Sequence, residues 1–193
     1  MLVAVSPAVV LFLLFIDGRR ASSSSLARLG LVLLGLFLLI APTGSLSMIG
    51  IFLGLGMTLT YGAFLFFVEK YLAEVPSVTI TIYVDTFVAI FLGMFYLVQY
   101  QAWVPIPING WGIVVFTGLF STALAHFFFV SSVKTIGSGE TALINPFETV
   151  FTVTWALLFL GESLTGTQWL GGSLILISAF LIGRQLAVTP APA

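Results

Sequence analysis

Residues 142–164 read ALINPFETVFTVTWALLFLGESL. The run is predominantly apolar, and about 20 such residues in a helix cross the ~30 Å hydrocarbon core of a bilayer. It nevertheless holds a carboxylate, Glu148, two residues after Pro146, and a second one, Glu162, near its end. A charge at the centre of a membrane helix costs about 2.5–3.5 kcal/mol on insertion scales, which makes Glu148 a functional-site hypothesis. The run therefore predicts a membrane-spanning helix that carries part of a site.

The composition of the whole chain predicts a membrane protein. Of its 193 residues, 60% are hydrophobic and 7% are charged, whereas a soluble domain carries about 25% charged residues. A net charge of -1 leaves no basic face for nucleic acid. With no cysteine and one histidine, thiolate and multi-histidine metal sites are excluded. We expect no enzyme activity, no metal and no cofactor.

Polar, glycine, proline and serine clusters divide the chain into seven apolar segments. The predicted membrane spans are 1–16, 26–41, 47–68, 78–99, 111–132, 141–160 and 168–183. The first segment is not read as a signal peptide, because its basic residues Arg19 and Arg20 follow the apolar part instead of preceding it. The chain is therefore predicted to be an all-α polytopic membrane protein with seven transmembrane helices.

Basic residues predict the orientation of these spans, since Lys and Arg near span ends collect on the cytoplasmic side. When the connections are assigned to alternate sides, all six basic residues fall on one side: Arg19, Arg20, Arg28, Lys70, Lys134 and Arg184. We therefore predict that the N-terminus lies outside and the C-terminus lies in the cytoplasm.

The C-terminal part of the chain resembles a known family. Residues 145–183, NPFETVFTVTWALLFLGESLTGTQWLGGSLILISAFLIG, look like the closing segment of EamA-like proteins of the drug/metabolite transporter superfamily. In that family a proline opens the penultimate helix, a Leu-Gly-Glu tripeptide ends it, and a glycine-marked helix closes the domain. The matching residues are Pro146, Leu160-Gly161-Glu162 and Leu170-Gly171.

The resemblance implies ten spans in two five-span halves of inverted topology. Residues 6–20 and 27–40 mirror the closing segment and indicate a partial inverted repeat. Residues 1–41 are expected to be the last two spans of an incomplete first half, 42–186 a complete second half, and 187–193 a short tail. Three family spans are then expected to be missing.

The resemblance also implies the function. We expect a secondary transporter of the cytoplasmic (inner) membrane that exports small polar metabolites such as amino acids. The alternative is a truncated, non-transporting membrane protein, or a partial chain that needs a partner to complete the transport cavity. The expected partners are a small-molecule substrate and the lipid bilayer, with proton coupling and a homodimer as further hypotheses.

Four polar side chains lie well inside the predicted spans, on four different helices. Counted from the cytoplasmic ends at 1.5 Å per residue, Tyr61, Asp85, His126 and Glu148 each lie roughly 10–12 Å deep. One shared layer is typical of a midplane binding site. Plainer interpretations stay open: Asp85 is neutral or paired with His126, His126 is a packing residue, and Tyr61 is part of the core.

The sixth span adds further candidates. Asn145, Glu148, Thr149 and Thr152 follow the i, i+3, i+4, i+7 spacing of a single helical face. We predict that this polar stripe faces inward and contributes to substrate binding or coupling. Pro146 removes a backbone donor and predicts a local break near Asn145.

Glu162 receives a different interpretation. A negative charge at a helix C-terminus is unfavourable by roughly 0.3–1 kcal/mol. We therefore expect it to cap or pair with the start of the last span, near Thr165 and Thr167. Together with Pro146, it is predicted to be structural or gating.

Overall fold

The computed structural model describes residues 5–19, 22–39, 48–100, 105–161 and 163–188. All regular secondary structure in these residues is helical, as the sequence predicts. Seven helices follow one another: α1 Ser6–Ile16, α2 Ser23–Leu39, α3 Met48–Tyr71, α4 Ser77–Tyr100, α5 Ile108–Ile136, α6 Ser138–Leu160 and α7 Gly166–Val188.

Five of the seven helices, α3 to α7, are long and apolar enough to cross a membrane. The helix α1 has 11 residues and α2 has 17, so at 1.5 Å per residue they reach about 16 and 25 Å. The prediction of seven spans is thus confirmed for the number of helices and for five full-length spans. The chain is a multi-pass membrane protein.

Local sequence signals begin and end several of these helices. The Ser22 hydroxyl oxygen accepts the Ser24 N–H at 3.1 Å at the start of α2. At the start of α7, the Gln168 side chain accepts the Thr165 N–H at 2.8 Å, and the Gln168 N–H points back to the Thr165 hydroxyl at 3.4 Å. This reciprocal pair is a capping box. Gly161, with φ of +67°, ends α6 in the left-handed conformation that glycine adopts without steric cost.

One end of the bundle, here called the basic end, is joined by polar contacts between the helix connections. Arg19 after α1 pairs with Glu69 near the end of α3. Arg28 in α2 binds Glu140 in α6 at 3.1 Å, and Lys134 near the end of α5 donates to the Val75 carbonyl before α4. The basic residues in these contacts therefore lie at one end of the molecule, as the alternation of the spans predicts.

The buried core shared by α3 to α6 lies toward the basic end. The side chains that α4 buries are both near its start, Ile80 and Thr81. They join a core contributed by α1, α3, α5 and α6, whose buried residues are Val10, Leu65, Val68, Ile80, Val130, Val133 and Ala142. Farther from the basic end, large side chains of α3, α4 and α5 are exposed. The four helices α3 to α6 thus share a buried core at the basic end and are more exposed beyond it.

The helices α2 and α7 form a second, closely packed pair. A Cβ added at Gly35 would lie 2.8 Å from the Gly171 carbonyl oxygen, so the two backbones touch. Gly30, the motif counterpart of Gly171 in the mirrored segment, meets no atom within 4 Å. Val32 and Ile175 are buried in the same interface. Close approach through small residues is typical of membrane helices.

Candidate functional site

The candidate site begins with an interruption of α6. The helix has two halves, Ser138–Ile144 and Phe147–Leu160, separated by the turn at Asn145 and Pro146. Because Pro146 has no N–H, it cannot continue the ladder of i to i−4 hydrogen bonds. The Glu148 N–H instead bonds the Asn145 carbonyl at 3.0 Å, a tighter i to i−3 contact. The break predicted near Asn145 is confirmed, and Glu148 lies in the first turn after it.

A second irregularity lies in α5, opposite this break. Residues Thr117–Leu124 form a π-helix between two α-helical parts of α5. The Thr122 hydroxyl donates to the Thr117 carbonyl, five residues earlier, at 3.4 Å. A π-helix is rare and is frequently found at functional sites. It directly precedes His126, so it sets the direction in which that side chain leaves the helix.

The two irregular segments and α3 enclose a cleft of about 380 Å³. Its lining comes from three helices: Tyr61 and Phe64 of α3; Ser121, Thr122, Ala125, His126 and Phe129 of α5; and Asn145 and Glu148 of α6. Glu148 is exposed, and the described part of the chain places no Lys or Arg in the lining of this cleft. This volume falls within the range of ~300–1,000 Å³ typical of small-molecule sites.

The histidine that lines the cleft is paired with a carboxylate from α4. His126 Nδ1 lies 2.7 Å from Asp85 Oδ1 on α4. Both side chains are part-buried, with 20% and 26% of their surfaces exposed. The pairing that the sequence left open for Asp85 is therefore formed. A histidine whose one ring nitrogen is engaged presents the other to its surroundings.

Aromatic rings form much of the remaining wall. The rings of Tyr61 and Phe129 are stacked, with centroids 5.7 Å apart, and Phe64 lies against the His126 ring at 5.8 Å. Tyr61 lines the cleft together with Asn145 and Glu148. Tyr61 is therefore both packed and polar, which combines the two interpretations that the sequence allowed.

The structure brings together some of the predicted site residues and leaves others apart. Glu148, His126, Tyr61 and Asn145 line the cleft, and Asp85 reaches it through His126. The remaining candidates do not line the cleft or are not described: Thr149 and Thr152 are absent from its lining, and Glu162 lies outside the described residues.

The polar stripe predicted along span six is thus divided: Asn145 and Glu148 line the cleft, and Thr149 and Thr152 are outside its lining. Thr152 is exposed, and its hydroxyl donates to the Glu148 carbonyl at 3.1 Å. A threonine in a membrane helix also satisfies its hydroxyl on its own backbone, so polarity alone does not direct it inward.

Sequence reasoning missed the aromatic wall and the π-helix. Phe64 and Phe129 are two of the 19 phenylalanines of the chain, and nothing in the sequence distinguishes them from the rest. Ser121 and Thr122, inside an otherwise apolar span, were the available signal for the π-helical segment. Within the described residues, no group of three or more His, Asp or Glu side chains is arranged to hold a metal ion.

Comparisons with known proteins agree with this architecture. Residues 48–184, most of the chain and all but the last residues of α3 to α7, match the EamA-like transporter family. A curated relative, the uncharacterized transporter sll0355 of Synechocystis sp., is 30% identical over 88 residues, which cover 44% of this chain and 26% of that protein. The match thus spans about a quarter of the relative's length. No solved structure matches the chain. Both matches point to a transporter rather than an enzyme, and the chain belongs to the EamA-like transporter family.

Proposed function

We propose that this chain is a secondary transporter that exports small polar metabolites, such as amino acids, across a cytoplasmic (inner) membrane. The observation that carries the proposal is the cleft between α3, α5 and α6, in which Glu148 is exposed at the break of a membrane helix. An ionisable side chain within a membrane span faces a water-filled cavity or a partner group, and it marks solute pathways. Broken helices near the midplane are typical of transporter binding sites.

The proposed orientation has the N-terminus outside and the C-terminus in the cytoplasm. The clustering of Arg19, Arg28 and Lys134 at the basic end supports it, since basic residues collect on the cytoplasmic side. In this orientation the packed core closes the cleft toward the cytoplasm, and its open side faces outward. We propose that the structure corresponds to an outward-facing state of the transport cycle.

The cleft also holds the groups that proton coupling requires. Asp85, His126 and Glu148 are titratable, and two of them are joined at 2.7 Å. We propose that solute export is exchanged for protons through these residues. Solute flux in proteoliposomes should then depend on an imposed pH gradient. Equal flux with and without the gradient would show that transport is not coupled to protons.

Reconstitution tests the transport function itself. The chain is placed in liposomes loaded with a mixed pool of amino acids and other metabolites, and their efflux is followed for wild type and Glu148→Gln. We expect the substitution to lower flux by about tenfold or more, which corresponds to about 1.4 kcal/mol of transition-state stabilisation. Glu74→Gln is the matched control, because Glu74 is an exposed carboxylate in the α3–α4 connection. Folded protein without any flux would refute the proposal.

A second candidate function rests on the same exposed carboxylate. The described part of the chain leaves the Glu148 side chain exposed. Hydrocarbon cannot solvate a charged carboxylate. A partial transport unit, whose cleft is completed by a partner such as a second copy, would cover it. Mixing wild-type and Glu148→Gln chains separates the two candidates: flux falls in proportion to the mutant fraction for independent chains and more steeply for a shared cleft.

A further inference from the structure

The charge balance of the cleft indicates the class of solute that it binds. None of the residues that line it is Lys or Arg. The basic residues Arg19, Arg28 and Lys134 are engaged at the basic end, with Glu69, Glu140 and the Val75 carbonyl respectively. The cleft itself contains the Glu148 carboxylate, and the Asp85–His126 pair adds at most a balanced charge. Its net charge is therefore negative.

The position of Glu148 favours binding of a cation beside its side chain. Glu148 lies in the first turn of the second half of α6, where the helix dipole interacts favourably with a negative charge. The other polar residues that line the cleft are Tyr61, Ser121, Thr122, Asn145 and His126, and His126 is bound to the Asp85 carboxylate. A solute carboxylate would meet this negative charge with no Lys or Arg in the cleft lining to offset it. A solute ammonium group would complete the pair.

The aromatic wall strengthens the same preference. Tyr61, Phe64 and Phe129 line the cleft together with Glu148. The face of an aromatic ring carries negative partial charge and attracts an ammonium group within about 6 Å of its centre, most strongly when the group is desolvated. A carboxylate combined with several aromatic rings is the arrangement that recognises amines and quaternary ammonium ions.

From these observations we propose that the cleft binds organic cations, with Glu148 as the counter-ion and the aromatic wall as the surface that packs against the ammonium substituents. This inference rests on the proposed transport function and narrows its substrate class. We expect the cleft to bind solutes with a net positive charge more tightly than zwitterions, and zwitterions more tightly than anions.

Three probes of nearly one size separate charge from shape. Choline is a cation, 3,3-dimethylbutan-1-ol is its neutral counterpart with carbon in place of nitrogen, and glycine betaine carries the same head group with a carboxylate. Binding of radiolabelled choline to the purified chain is measured by equilibrium dialysis, and the other two compounds compete for it. We expect choline to bind about tenfold more tightly than the neutral alcohol, with glycine betaine in between.

Variants assign that preference to residues. Glu148→Gln should reduce the tenfold preference to about the two- to fivefold that the aromatic rings provide, while the surface control Glu74→Gln keeps it. Phe129→Leu preserves an apolar side chain without a ring, and it should weaken choline binding about two- to fivefold with little effect on the alcohol. Thermal melting of each variant verifies folding, so the comparison among folded variants does not depend on Glu148→Gln alone.

The outcomes are separable from those of the transport assay. Equal binding of choline and the alcohol, choline binding unchanged in Glu148→Gln, or no choline binding at all would overturn the cation site. Efflux of neutral or anionic solutes without choline binding would keep the transporter and remove its cation preference. Choline binding without flux of any solute would keep the site and remove the transport function.

Discussion

A single methyl group added at Gly171 tests how closely α2 and α7 approach each other. The Cβ of Gly171→Ala would lie 2.5 Å from the Gly35 carbonyl oxygen and 2.6 Å from the Leu39 nitrogen. Both atoms belong to the backbone, so no side chain can rotate away. To restore ordinary contact at 3.4 Å, the two helices must separate by roughly 1 Å, which is overpacking of the kind that costs about 1–3 kcal/mol.

We expect Gly171→Ala to reach the upper part of this range, about 3 kcal/mol, because the whole helix pair must move. In a protein of this size each kcal/mol lowers the melting temperature by about 2–4 °C, so the expected decrease is about 6–12 °C. The measurement is thermal unfolding in one detergent at one scan rate, followed by tryptophan fluorescence, since unfolding of membrane proteins is often irreversible.

The neighbouring glycine supplies the control. A Cβ at Gly172 would have Leu39 Cδ1 as its nearest atom, at 4.0 Å. Gly172→Ala should therefore leave the melting temperature unchanged or raise it slightly, since alanine in a helix is more stable than glycine by up to ~1 kcal/mol. Equal melting temperatures for Gly171→Ala and Gly172→Ala would refute the close contact between α2 and α7.

Three further predictions concern the polar contacts and the break in α6. A double-mutant cycle of Asp85→Ala and His126→Ala should give a coupling of about 1 kcal/mol in unfolding experiments, within the range known for hydrogen bonds between membrane helices; additive single effects would show that the pair contributes no coupling. Arg28→Gln removes the cation from a nearly buried pair and should cost about 3 kcal/mol in unfolding free energy. Lys70→Gln, at a more exposed pair, should have a clearly smaller effect, so equal effects of the two substitutions would contradict the difference in burial. Pro146→Ala should stabilise α6 in thermal unfolding while lowering solute flux in proteoliposomes, because an uninterrupted helix alters the position of Glu148; unchanged flux would separate the break from function.

Particular residues show how far the sequence predicts the site. Glu148, His126 and Asp85 could be selected because a titratable side chain in an apolar span is costly and must have a partner or a cavity. The break at Asn145 and Pro146 could be predicted because proline lacks the N–H that a helix requires. Phe64 and Phe129 could not be selected, because phenylalanine facing lipid and phenylalanine facing a cleft look alike in one sequence.

The sequence by itself determined the membrane class, the number of helices, the end at which the basic residues gather, and the family. These properties follow from composition and from the order of residues along the chain. Hydropathy determines which segments enter the bilayer, and basic residues determine on which side their ends lie. Tertiary structure alone decided that Thr152 is outside the cleft lining, that a π-helix precedes His126, that Gly35 rather than Gly30 meets Gly171, and that Phe64 and Phe129 line the same cleft as Glu148. These features depend on the rotation of each helix about its axis and on which faces meet, and those are set by packing between helices distant in sequence.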